Sequence, residues 1–321
     1  MNLPHRLALA AIAVATAGCA AIAVNTAPPK VASTSRSALA LQADRLFWET
    51  LHSGNYDAIA PALQAVTGAY LQDPNDAGSA AHVGWLHIWR LAESARLAHP
   101  QATITDDAVL ARRYFQEAVA LDPSEARYLG FLGSAQLIEA SIHKDEKLRR
   151  EGYFTLLASI DAWPEFNLFT AGYTMSGQPA DSERFKQGLA WQWQTLDLCA
   201  GGRVDRRNPD FAPYMALATT EGRQRVCWNS WIAPHNFEGF FLNMGDMLVK
   251  SGDWQTAQKV YANAKLSPTY AGWAYAPVLQ RRIDNAQGNV AAFTATAATH
   301  GRAGEKMMIA STYACTACHQ R

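Results

Sequence analysis

The stretch FEGFFLNMGDMLVKSGDWQTAQKVYANAKLSP constrains the fold more than any other part of the chain. Phe241, Met244, Gly245 and Leu248 recur at three- and four-residue intervals, which places them on one face of an α-helix. Gly252-Asp253-Trp254 then interrupts the period. A second helix sets Ala257, Tyr261 and Ala264 on one face, and Pro268 stops it. Two helices joined by so short a turn must run antiparallel. Gly245 and Ala257 are small enough to let them approach, and Tyr261 is expected to fill the space between this pair and the next.

Weaker copies lie upstream. ARRYFQEAVALDP puts Ala111, Phe115, Ala118 and Pro123 on the second-helix positions, and ALQAVTGAYLQDP does the same with Ala62, Val66, Ala69 and Pro74. After each Pro comes a first helix with a glycine inside it, Gly84 and then Gly133, and EFNLFTAGYTM begins another with Leu168 and Gly172. AHPQATITDD reads as an inserted loop, with Thr105 or Asp106 capping the helix after it. These features resemble the tetratricopeptide repeat (TPR), whose unit is about 34 residues. The resemblance covers Ser37 to Gly301 and implies an all-α, TPR-like helix-pair solenoid whose groove takes a protein partner. An irregular all-α domain is the alternative, and neither reading contains a convincing strand run.

At the N-terminus a single Arg6 precedes an apolar run from Leu7 to Ala17. That length suits the core of an export signal and is too short to span a bilayer. Thr16-Ala17-Gly18-Cys19 resembles a bacterial lipobox with Thr16 in the place of the usual Leu, which implies lipidation of Cys19. Ordinary cleavage after Ala23 is the other reading. Residues 1–18 are thus expected to be a signal peptide and 19–36, with two prolines, a flexible tether. The expected location is the periplasmic face of a bacterial membrane. Lys+Arg 28 against Asp+Glu 28 leaves no charge excess for nucleic acid.

Export makes the five cysteines informative. Cys19 suits the lipid. Cys199 and Cys227 are most simply a disulfide closing an irregular loop rich in Gly, Pro and charge, worth roughly 3–4 kcal/mol on the chain-entropy estimate. A redox or metal pair is the alternative, but no His stands near them at a ligand spacing. Directly after Cys227, CWNSWIAPHNFEGFF concentrates aromatic residues. Trp228, Trp231 and His235 either line a groove or, more simply, belong to the loop and first turn of the last pair with their rings buried.

Cys315, Cys318 and His319 form C-x-x-C-H two residues before the last residue, Arg321. In an exported chain this is the spacing of c-type haem attachment: two thiols take the vinyl groups and the imidazole lies under the iron. GRAGEKMMIASTYACTACHQ resembles the first helix of a class I cytochrome c running into its haem motif, with Gly304 and Tyr313 ahead of the cysteines. That resemblance implies haem c on tail 302–321, with His319 as proximal iron ligand, and one-electron transfer to a redox partner. Here the wrapping domain and distal Met of that family do not follow. His300, Met307 and Met308 lie too close in sequence to reach around the ring, whereas His143 or His235 has the freedom to do so. A haem-free scaffold, whose tail is vestigial or a C-x-x-C disulfide, is the rival reading. No phosphate loop, nucleophile elbow or H-E-x-x-H motif marks an enzyme. Peroxidase-type activity would need an open iron face and a distal acid–base group that the sequence does not identify.

Overall fold

A computed structural model describes Thr26 and residues 30–94, 97–228, 237–294 and 307–309. Cys19, Trp231, His235, His300, Cys315, Cys318 and His319 lie outside the described residues. Among the described residues the secondary structure is helical, with no strand. The α-helices are α1 (Ala38–Ser53), α2 (Ile59–Gln72), α3 (Ala77–Ala92), α4 (Asp106–Leu121), α5 (Ala126–His143), α6 (Glu146–Ala162), α7 (Pro164–Ser176), α8 (Glu183–Cys199), α9 (Phe237–Lys250), α10 (Trp254–Ala262), α11 (Ala276–Asp284) and α12 (Ala286–Thr294).

Their boundaries obey local chemistry. Ser37, Asp76, Asp145, Ser182 and Asp253 each accept a hydrogen bond from a first-turn N–H with their side chains. Pro164 opens α7 at a position where its missing N–H costs nothing. Gly252, at φ 91°, turns α9 into α10. Thr105 does not cap α4 with its side chain, contrary to the sequence expectation, because a 3-10 turn, Ala102–Thr105, runs straight into that helix. Asp107, in the first turn of α4, is buried, and its Oδ1 lies 2.6 Å from His87 Nδ1.

Consecutive helices pack as pairs: α1 with α2, α3 with α4, α5 with α6, α7 with α8, and α9 with α10. Each of the first four pairs also touches the next through α2–α3, α4–α5, α6–α7 or α8–α9. Glycines stand at the crossings. A Cβ on Gly133 would come within 2.8 Å of the Leu156 backbone nitrogen, so α5 and α6 meet at a distance only glycine permits. Gly245 lies directly under the Tyr261 ring. That corrects the expected role of Tyr261, which packs inside its own pair rather than between pairs.

Between α8 and α9 runs a connection with two short 3-10 turns, Ala212–Leu217 and Arg223–Cys227. The Cys199–Cys227 disulfide closes it. Asn263 holds its middle, accepting from Phe211 N–H at 2.9 Å and donating to the Pro209 carbonyl at 2.6 Å. Near the other end Arg223 donates to the Ala162 carbonyl, and Trp163 Nε1 donates to the Arg223 carbonyl. The connection is thus sewn to α10 on one side and to the α6–α7 junction on the other.

Candidate functional site

Every residue of α9 from Phe237 to Lys250 is buried. A helix covered all round is normally apolar all round, yet this one carries Asp246 at its centre. Asp246 is fully buried and accepts three hydrogen bonds: from Tyr261 Oη at 2.7 Å, from Arg282 Nε at 3.0 Å and from the backbone N–H of Met308 at 2.7 Å. Arg282, itself buried, lies over the Phe293 ring at 4.9 Å. One carboxylate therefore ties α9, α10, α11 and the segment 307–309 together. A buried pair of this kind is costly to break, because its loss leaves an uncompensated charge in the interior.

Met308 is also buried, and its Sδ accepts from Ser176 Oγ at 3.0 Å at the end of α7. Lys250 Nζ donates to the Ser176 carbonyl at 2.8 Å and stands over the Phe185 ring. Burial lowers the Lys250 pKa below the ordinary lysine value. Met308 and Ile309 both have left-handed backbone, φ 56° and 58°. For a β-branched Ile this is a true outlier, of order 1 kcal/mol or more, and it persists only where surrounding contacts impose it. The chain turns here, six residues before Cys315. A continuous helix from Gly304 to the haem motif, as the cytochrome c resemblance implies, is therefore interrupted at Met308–Ile309. The Met308 thioether is engaged by Ser176.

Cys199 and Cys227 are joined as expected, their Cα atoms 5.7 Å apart. Trp228 does not line an open groove: it is buried, its ring 5.7 Å from Phe211 and 6.1 Å from Phe237. Behind the disulfide, Leu196, Phe211, Phe237, Phe240 and Phe241 enclose a cavity of about 20 Å³. That holds no more than one water, so the aromatic cluster there is core. Among the described residues no group of three or more His, Cys, Asp or Glu is arranged to hold a metal ion. His143 is exposed at the end of α5. No described helix is long and apolar enough to cross a membrane.

Two histidines were not foreseen from the sequence, His87 buried and His82 half-buried. His87 has its Asp107 partner. His82 lies flat on Phe47, ring centroids 3.8 Å apart, with Nδ1 3.3 Å from Asp44 Oδ1. Burial pushes its imidazole down to about 4, with the Arg36 and Arg127 charges acting in the same direction and Asp44 and Asp76 opposing. The Asp246 centre also went unseen, although a carboxylate flanked by Met244, Gly245, Met247 and Leu248 on a largely apolar helix is a readable signal. No protein-family profile, curated protein or solved structure matches the chain.

Proposed function

We propose that the protein is exported, lipid-anchored through Cys19, and carries a covalent c-type haem on Cys315 and Cys318, with His319 as the proximal iron ligand. The helix pairs form a TPR-like stack that docks a protein partner, and the haem passes single electrons or marks an assembly subunit. One observation carries this reading: ahead of C-x-x-C-H, Met308 is fixed to the buried Asp246 centre. Cys315 follows Met308 by seven residues, a chain length that reaches at most about 25 Å from that anchor.

The donor set fits the group. Two thiols at this spacing and an adjacent imidazole are what covalent attachment and axial ligation require. When bound, haem supplies a one-electron couple. The described residues contribute position: Asp246 and Ser176 hold Met308, and the left-handed turn at Met308–Ile309 sets the direction in which the chain leaves. That same turn favours the rival reading, a haem-free scaffold on the periplasmic side, because it breaks the helix on which the cytochrome resemblance rests. A haem stain on a denaturing gel separates the two, after export in a host with c-type maturation machinery. A covalent signal at full-length mass that vanishes in Cys315→Ala/Cys318→Ala supports the haem protein. No signal from fully exported protein supports the scaffold.

A further inference from the structure

Helix α2, IAPALQAVTGAYLQ, contains no charged residue, and its outward positions include Ala60, Pro61, Gln64 and Leu71. The second helix α6, by contrast, carries Glu146, Lys147, Arg149, Arg150 and Glu151 in its first two turns. An outer helix without charge is poorly suited to face water alone. Leu71 is 69% exposed. Its neighbour Tyr70 meets Tyr114 of α4 edge to face at 5.2 Å, which joins the outer faces of the two helices. Leu110, one turn before Tyr114, is exposed as well.

The chain enters the fold across this same face. Lys30 Nζ bonds Glu117 of α4 at 2.6 Å and lies beside Tyr70. Val31 comes next, 76% exposed, and Ser33 bonds both the Asn75 carbonyl and the Asp73 carboxylate at the end of α2. The tether is therefore pinned next to an apolar patch of Val31, Leu71 and Leu110 with Tyr70 and Tyr114 between them. From Cys19 to Lys30 is a span of at most about 40 Å. Exposed Leu and Val with tyrosines, and the exposed Arg113 beside Tyr114, form the residue mixture that sits at a bilayer interface: apolar groups inward, phenols and cations at headgroup depth.

We infer that the outer face of α2 and α4 docks on the lipid bilayer to which the N-terminal segment is anchored. This rests on the export and anchor part of the proposed function and is independent of haem. Such a patch binds lipid weakly by itself. A short tether supplies a millimolar effective concentration and makes weak contact persistent. Docking also orients the molecule, with the helix pairs stacking away from the membrane and α9 and segment 307–309 toward the far end.

The full chain is exported, purified and reconstituted into phosphatidylethanolamine–phosphatidylglycerol vesicles, then tested by flotation and by amide hydrogen exchange. The unlipidated Cys19→Ala form in solution is the reference. Slower exchange on vesicles in Ile59–Gln72 and Asp106–Leu121, with no shift in Glu146–Ala162, supports docking, and Leu71→Glu/Leu110→Glu should abolish the slowing while flotation persists. Flotation without slowing overturns the docking face and leaves the anchor reading intact. Failure to float overturns both. Slowing that appears at high protein concentration without vesicles assigns the face to a second copy and overturns the lipid proposal.

Discussion

Two non-helical stretches are fastened to the helix pairs in different ways. The connection between Cys199 and Cys227 is sewn down along its length by a disulfide, by Asp197 with Arg206, by Asn263 and by Arg223. Segment 307–309 is centred on one buried residue, Met308, which reaches Asp246 through its backbone and Ser176 through its sulfur, while Met307 and Ile309 pack half-buried against the core on either side. Distributed fastening is what a structural filler needs. Fastening centred on one buried residue fixes a chain at a single place.

The largest expected effect comes from the single point. Asp246→Ala should destabilise the whole fold by about 3–5 kcal/mol, because it breaks the buried ion pair with Arg282 and removes the acceptor of Tyr261 Oη and Met308 N–H; chemical denaturation measures this. If the loss were under 1 kcal/mol, the tail anchor would be peripheral and the contrast would fail. Cys199→Ala/Cys227→Ala should cost about 3–4 kcal/mol in the same assay, with the exchange protection of Met308 unchanged. Asn263→Ala should cost about 1–3 kcal/mol by orphaning the buried Phe211 N–H and should loosen residues 204–212 alone.

Acid sharpens the comparison from a third place. His82 has a folded value near 4 against an unfolded 6.5, so it binds fewer protons when folded. Its contribution, about 3 kcal/mol by linkage, is present above pH 6.5 and is lost as pH falls from there through 4. Asp197 behaves differently. Burial raises its carboxyl, but Arg206 and the Val204 N–H outweigh that and hold it below the ordinary range. Its contribution is present above the ordinary value of 3.8 and is lost only as pH falls below that. Exchange measured between pH 6.5 and 4 should therefore show α1 and α3 loosening first, with the disulfide-closed connection intact, and His82→Gln should flatten that loss. The smallest effect belongs to Ser176→Ala: about 1 kcal/mol or less, felt at segment 307–309.

How legible was this in the sequence? Gly84, Gly133, Gly172 and Gly245 marked helix crossings because close approach demands glycine whatever surrounds it, and prolines and Asp or Ser caps marked the ends. The cysteine pair was readable by elimination. Three things were not. Tyr261 faces Asp246, a partner that pairwise spacing does not reveal. Thr105 loses its capping role to a 3-10 turn whose sequence carries no distinct signal. Met308 and Ile309 adopt left-handed backbone for which neither residue has any local preference, so only the tertiary contact with Asp246 dictates it. The C-x-x-C-H spacing is read from the sequence alone, since it lies outside the described residues.

The most direct test of the central claim is a tryptic map of the exported full chain, made with c-type maturation machinery present. Cleavage after Lys306 releases Met307–Arg321, which holds both the anchored Met308 and the C-x-x-C-H motif. The account predicts that this peptide carries one covalent haem per chain, and that it is cut from the folded protein more slowly in wild type than in Asp246→Asn. Fully exported chain whose Met307–Arg321 peptide is unmodified, or joined only by a Cys315–Cys318 disulfide, would contradict it.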